Sequence, residues 1–155
     1  FETFLADQIR FKASIVAGDE RESAAKTDAK SRKILNFGHT FAHALEKATN
    51  YSYLKHGEAV GWGILFAAEL SKKLELLSPD EVKSLNDVVH HAGILPQIAN
   101  IDPSEVLEAF KHDKKNIGNS LQWVLLRGIG KPVIVPGSEV SASLVRPTVK
   151  KFICK

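Results

Sequence analysis

The sequence of 155 residues holds one cysteine, Cys154, and no methionine. A single thiol cannot close a disulfide within the chain. That excludes the cross-linked framework of a small secreted domain and agrees with a reducing compartment, so the cytoplasm is the expected location. Without methionine, Phe1 is not expected to be a translation start, and the chain is expected to be a piece of a longer polypeptide. No apolar run approaches the ~20 residues of a membrane span. No basic leader precedes an apolar stretch and a small-residue cleavage site. A membrane partner is therefore not expected. Charge of one sign is also scarce, with 21 Lys and Arg against 18 Asp and Glu and a net charge of +3. That falls short of the clustered basic face of a nucleic-acid binder. Finally, no strand runs into a glycine-rich turn and a helix, so the chain cannot cradle a pyrophosphate as a dinucleotide-binding fold does.

What is there is an ordinary globular composition, 44% hydrophobic and 25% charged, on a chain long enough to bury a core. Phe4, Leu5, Ile9, Phe11, Ile15 and Val16 form a rough helical stripe over Phe1–Val16 that breaks at Gly18. Asp19–Arg32 is polar, dense in charge and expected to be a solvated, mobile loop. A second helix is predicted from Ile34 to Thr49, a turn over Asn50–Lys55, and a long apolar helix over His56–Leu77. Gly61 and Gly63 within that helix are expected at close helix–helix contacts. Ser78-Pro79-Asp80-Glu81 is a capping box with proline at the first helical position, opening a helix to Ala92. Asp102-Pro103-Ser104-Glu105 repeats the device before Val106–Lys115. Leu121–Leu126 and Pro132–Val135, separated by Gly128-Ile129-Gly130, carry the signature of a hairpin. A last helix starts at Ser138 and is expected to break or kink at Pro147. The fold class is mainly α, one helical domain over residues 1–155 with one small β-hairpin.

Histidine placement is the informative chemical feature. His39 and His43 are four apart and share one helix face. If the second and third helices pack antiparallel across their short connection, His56 returns toward that pair. Two imidazoles with a carboxylate and an open position make a catalytic zinc site. The spacing alone points to core or surface histidines more than to a metal site, and the glutamate of an HExxH metalloprotease is missing.

The wider context is more specific. Ile34-Leu35-Asn36-Phe37-Gly38-His39-Thr40-Phe41-Ala42-His43-Ala44, followed by Lys55-His56-Gly57-Glu58-Ala59-Val60, resembles the LNFGHTxGHA…HGEAV signature of 3-dehydroquinate synthases. Lys12 ahead of Asp19-Glu20-Arg21-Glu22 resembles that family's lysine and acidic segment. Asp113-Lys114-Lys115 followed by Leu121–Gly130 resembles its late lysine and hairpin. The resemblance runs in order along nearly the whole chain and maps onto the C-terminal half of the enzyme. It implies that His39 and His56 bind a divalent metal, zinc or cobalt, and touch the substrate, with a third ligand, a glutamate, from a missing N-terminal half. It implies that Glu22 and His43 are proton acceptors. It implies that Lys12, Arg32, Asn36 and one of Lys114 or Lys115 contact a sugar-acid phosphate, whose anionic groups need such cations and donors. NAD is implied to bind mainly to the N-terminal domain, and the full enzyme to be a homodimer.

Each residue also has a plainer role open to it. Lys12 and Glu22 could be solvated surface charges, Asn36 a helix cap, and Asp113-Lys114-Lys115 a helix end. The sequence departs from the family in two places: Ala42 replaces the usual glycine, and the link from Glu22 to Arg32 is several residues longer than usual. The competing functions are a related sugar phosphate cyclase of secondary metabolism, a polyol dehydrogenase of the same superfamily, and a non-catalytic helical interaction module.

Overall fold

Apolar periodicity, caps and turns produce a helical framework that closes on one aromatic core. A computed structural model describes residues 2–23, 26–116 and 121–154, with backbone alone over 111–116. In order, the elements are α1 (Glu2–Gly18), a 3-10 turn (Arg32–Asn36), α2 (His39–Ala48), α3 (His56–Lys73), α4 (Pro79–Ala92), α5 (Pro103–Asn116), β1 (Gln122–Leu126), β2 (Pro132–Pro136) and α6 (Ala142–Ile153). Mainly helical structure with one hairpin is therefore what the described residues adopt.

At the centre, Phe41 of α2 stacks on Phe66 of α3, with ring centroids 4.0 Å apart. Phe110, Trp123 and Phe152 surround the Phe66 ring. Such aromatic pairs contribute about 0.5–1.5 kcal/mol each beyond the area they bury. The two strands pair antiparallel, Trp123 opposite Val135, and their turn uses Gly128 and Gly130 at positive φ. Ser71 ties this hairpin to α3. Its buried hydroxyl donates to the Ala67 carbonyl at 2.7 Å and accepts the Leu126 N–H at 3.1 Å.

Several expected boundaries shift for physical reasons. The helix predicted from Ile34 starts only at His39, because Gly38 adopts a left-handed conformation at φ 84° and Arg32–Asn36 forms a 3-10 turn instead. That conformation brings Gly38 against α3, where a Cβ on Gly63 would collide with the Gly38 carbonyl. The close contact expected at Gly63 is thus with the entrance to α2. Helix α3 ends at Lys73 rather than Leu77, and Glu75 takes a positive φ of 58°. Helix α5 begins at Pro103, ahead of the expected Val106. Helix α6 begins at Ala142 and runs through Pro147 without ending. The proline removes one backbone donor, but buried Val145, Val149 and Ile153 recur every fourth residue and hold that face to the core.

The segment Asp19–Arg32 is exposed over most of its described residues, as expected, but not at its two ends. Asp19 is only 7% exposed and Ser31 is fully buried. One carboxylate oxygen of Asp19 accepts the Ser23 N–H at 2.9 Å. The other accepts the Ser31 hydroxyl at 3.2 Å and the Arg32 N–H at 2.9 Å. The two ends of the segment are clamped together by this one side chain.

Candidate functional site

Two short-range features bring the histidines together. The turn at Gly38 starts α2 with His39, which puts His43 one turn further along the same face. The Glu58 carboxylate accepts the Lys55 N–H at 2.8 Å and so caps α3 at its first residue, His56. The ring centroids of His39 and His56 are 5.3 Å apart, those of His39 and His43 5.6 Å, and those of His43 and His56 6.3 Å. The expected convergence of the three imidazoles is present.

The hydrogen bonds distinguish the rings. His56 Nδ1 lies 3.0 Å from Oε1 of Glu46, a carboxylate only 7% exposed. His39 Nδ1 lies 3.4 Å from the Phe37 carbonyl. In each ring Nδ1 is engaged, and Nε2 is the nitrogen left for a ligand. Burial lowers the pKa of His39, and the neighbouring His43 and His56 lower it further, against the opposing pull of the Phe37 carbonyl and Glu46. A histidine so placed favours the neutral form that metals bind.

These residues fit a divalent metal. Two imidazoles each ~2.0–2.1 Å from one ion at a tetrahedral angle have centroids about 5 Å apart, close to the His39–His56 separation. Nδ1 engaged by a carboxylate or a backbone carbonyl is also the usual support of a metal-bound histidine. Among the described residues no group of three or more His, Cys, Asp or Glu is arranged to hold an ion. The histidine pair therefore needs a further ligand from outside them.

Two cavities adjoin the histidines. One, of about 210 Å³, is lined by Glu22, Asn36, His39 and His43 among others. The second, of about 360 Å³, is lined by His43, Glu46, Tyr51 and His56. His43 borders both. Glu22 is held at φ 47°, and its Oε2 lies 4.0 Å from Arg32 Nε. Arg32 also donates to the Glu20 carbonyl at 3.1 Å. The arginine is thus beside the first cavity through Glu22, without lining it. Lys12 is exposed on α1 and lines neither cavity. The side chains of Lys114 and Lys115 lie outside the described residues. Glu46 escaped the reading of the sequence, although a signal was present: it follows His39 by seven residues and His43 by three, the spacing of one helix face.

A profile of the family described as 3-dehydroquinate synthase C-terminal matches residues 1–116. The chain belongs to this family. It is 37% identical over 152 residues to a 3-dehydroquinate synthase of Endomicrobium trichonymphae, an alignment covering 98% of the chain and 40% of that relative. It is 45% identical over 122 residues to the 3-dehydroquinate synthase of Francisella tularensis subsp. tularensis, covering 78% of the chain and 33% of the relative. The chain therefore spans less than half the length of these 3-dehydroquinate synthases. Among solved structures it resembles a 2-deoxy-scyllo-inosose synthase complexed with carbaglucose-6-phosphate, NAD+ and Co2+. That likeness has a TM-score of 0.66 at 25% identity and covers 79% of this chain and 34% of the other. No helix among the described residues is long and apolar enough to cross a membrane.

Proposed function

We propose that this chain is the metal- and substrate-holding C-terminal domain of a 3-dehydroquinate synthase. The reaction converts 3-deoxy-arabino-heptulosonate 7-phosphate into 3-dehydroquinate and phosphate, a step of the shikimate pathway toward aromatic amino acids. The observation that carries this reading is the His39–His56 pair at 5.3 Å, with Nδ1 of each ring already engaged.

His39 and His56 hold the divalent ion, zinc or cobalt, together with a ligand from an N-terminal domain that also binds most of NAD. When bound, the ion polarises a substrate hydroxyl and orients it, and NAD supplies the transient oxidation of that carbon. The chain's own residues bind and move protons. His43 and Glu22 face the cavity that His39 and Asn36 also line, and they serve as proton acceptors there. Asn36 donates to a substrate hydroxyl or carboxylate. Arg32, Lys12 and one of Lys114 or Lys115 meet the carboxylate and phosphate groups, where a charged donor is worth most. Arg32 holds Glu22 until substrate claims it. The complete enzyme acts as a homodimer in the cytoplasm.

Relatives named 3-dehydroquinate synthase at 37% and 45% identity favour this activity over that of the 2-deoxy-scyllo-inosose synthase, which is similar at 25%. The test joins the chain to its N-terminal domain, adds NAD and zinc or cobalt, and follows phosphate release from the 7-phosphate substrate. Release is expected with the wild-type sequence. Loss of both metal and turnover is expected in His39→Ala and in His56→Ala. A His56→Ala enzyme that keeps its metal would refute the ligand assignment.

A further inference from the structure

In the proposed function the buried carboxylate of Glu46 is neither a metal ligand nor a proton acceptor. It is set on α2 within the core, 7% exposed, and its Oε1 meets Nδ1 of His56 at 3.0 Å across the gap between α2 and α3. Burying a carboxylate costs free energy unless a partner compensates it. The one side-chain partner Glu46 has among the described residues is an imidazole that is itself largely solvent-facing, at 59% exposure. A pairing that served only to join two helices would not need a histidine on its open side. It does have a chemical consequence. A carboxylate accepting from Nδ1–H fixes the proton on Nδ1 and leaves the Nε2 lone pair free.

We infer that Glu46 is a positioning residue for the metal site: it locks His56 in the Nδ1–H tautomer and orients its Nε2 toward the ion. The placement supports this in three further ways. Glu46 lies on the α2 face that carries His39 and His43, so one rigid helix sets the spacing of two histidines and the support of the third. It borders the same cavity as His56 and His43. The backbone carbonyl of Glu46 accepts the Tyr51 N–H at 2.7 Å and the Thr49 hydroxyl at 3.2 Å, which fixes the helix end from which the side chain projects. His39 has its own and weaker support in the Phe37 carbonyl at 3.4 Å. The two ligands are therefore supported unequally, and His56 depends on a charged residue.

This inference rests on the metal assignment under the proposed function, and the experiment separates the two. In the complete enzyme, cobalt affinity is measured by competition with a chelator. The visible absorption of the cobalt-loaded protein is recorded alongside. Glu46→Ala is expected to weaken cobalt binding about 10–100-fold and to shift the cobalt band. Glu46→Gln keeps an oxygen that can accept from Nδ1–H but loses the charge, and is expected to weaken binding less than alanine does. Glu69→Gln removes another buried carboxylate, one that joins α3 to α6, and should leave cobalt affinity and spectrum unchanged. A folded Glu46→Ala enzyme that binds cobalt as tightly as the wild type, with the same spectrum, overturns the inference. Should the alanine variant fail to fold, a Glu46→Gln enzyme indistinguishable from wild type overturns it equally. If His39→Ala also binds cobalt normally, the metal site itself is wrong. If His39→Ala loses cobalt while the Glu46 variants keep it, only the role of Glu46 falls.

Discussion

Asp19 and Ser31 lie twelve residues apart and meet in a buried hydrogen bond, the serine hydroxyl donating to Asp19 Oδ2 at 3.2 Å. The same oxygen accepts the Arg32 N–H, so a single carboxylate closes the segment that carries Glu22 and delivers Arg32 to the 3-10 turn before His39. Backbone hydrogen bonds from Ser23 and Arg32 hold the Asp19 carboxyl below its ordinary pKa, and the Ser31 hydroxyl and Lys26 add to this against the effect of burial. A depressed carboxyl stabilises the folded state at all pH values above its unfolded pKa, and that contribution is lost as pH falls through the lower folded value. Asp19→Ala is therefore expected to speed hydrogen exchange at the Ser23 and Arg32 amides at neutral pH. Amide protection equal to wild type would show that the clamp does not hold the segment.

The difference between what the sequence disclosed and what it concealed follows from how far apart the interacting groups are along the chain. His39, His43 and His56 were legible because a four-residue spacing and a short connection determine their meeting locally. Glu46 was not. Its spacing puts it on the helix face of His39 and His43, but in Ala44-Leu45-Glu46-Lys47 it reads as one more surface charge, and only the packing around α2 buries it beside His56. Asp19 was hidden for the same reason, since a charge run gives no sign that its two ends will close on one carboxylate. The start of α2 was misplaced because the apolar pattern continues smoothly through Ile34, Leu35 and Phe37. What breaks the helix there is the left-handed turn at Gly38 and its approach to Gly63, a contact between the cap of α2 and the middle of α3.

Gly63 gives a direct stability prediction. A Cβ there would strike the Gly38 carbonyl, part of the backbone, which cannot move aside cheaply. Gly63→Ala is expected to destabilise the protein by about 1–3 kcal/mol, the usual cost of overpacking. Gly57 is the control, because a Cβ at that position meets nothing within 4 Å. Gly57→Ala in the first turn of α3 is expected to stabilise by about 0.4–1 kcal/mol through the unfolded chain. Denaturant unfolding of the two variants measures both. Equal effects would mean that α2 and α3 do not approach as closely as described.

Glu69 supplies a pH dependence. On α3 it meets Lys72 at 2.8 Å and Lys151 of α6 at 2.9 Å. Burial alone would raise its carboxyl pKa, but hydrogen bonds from Lys72 and Lys151, with their charges, outweigh burial and lower it. The pairing therefore stabilises the fold above the ordinary glutamate range and is lost as pH falls through the lowered value. Thermal unfolding midpoints measured from neutral to acidic pH should fall less steeply in Glu69→Gln than in wild type. At neutral pH the variant should also unfold at a lower temperature. A variant with the wild-type slope would exclude Glu69 as a source of acid sensitivity.

The last prediction separates a catalytic cavity from a structural one. The isolated chain brings His39 and His56 together but supplies no third ligand among its described residues, so with substrate, NAD and zinc it is expected to release no phosphate. In the complete enzyme, Arg32 and His39 should then differ in kind. Arg32 is half-buried, bonded to the Glu20 carbonyl and close to Glu22, which lines the cavity, and its proposed role is to meet an anionic group of the substrate. Removing it in Arg32→Ala should cost about 1.5–3 kcal/mol of transition-state stabilisation, roughly a 10- to 150-fold loss in kcat/KM, with the metal retained. In the proposed assignment His39→Ala removes an ion ligand rather than an anchoring charge, so metal content and nearly all turnover should disappear together. Steady-state kinetics with metal analysis on the same preparations reads both effects. Equal and mild losses in the two variants, each with full metal content, would make the cavity a structural feature and leave the histidines without a catalytic role.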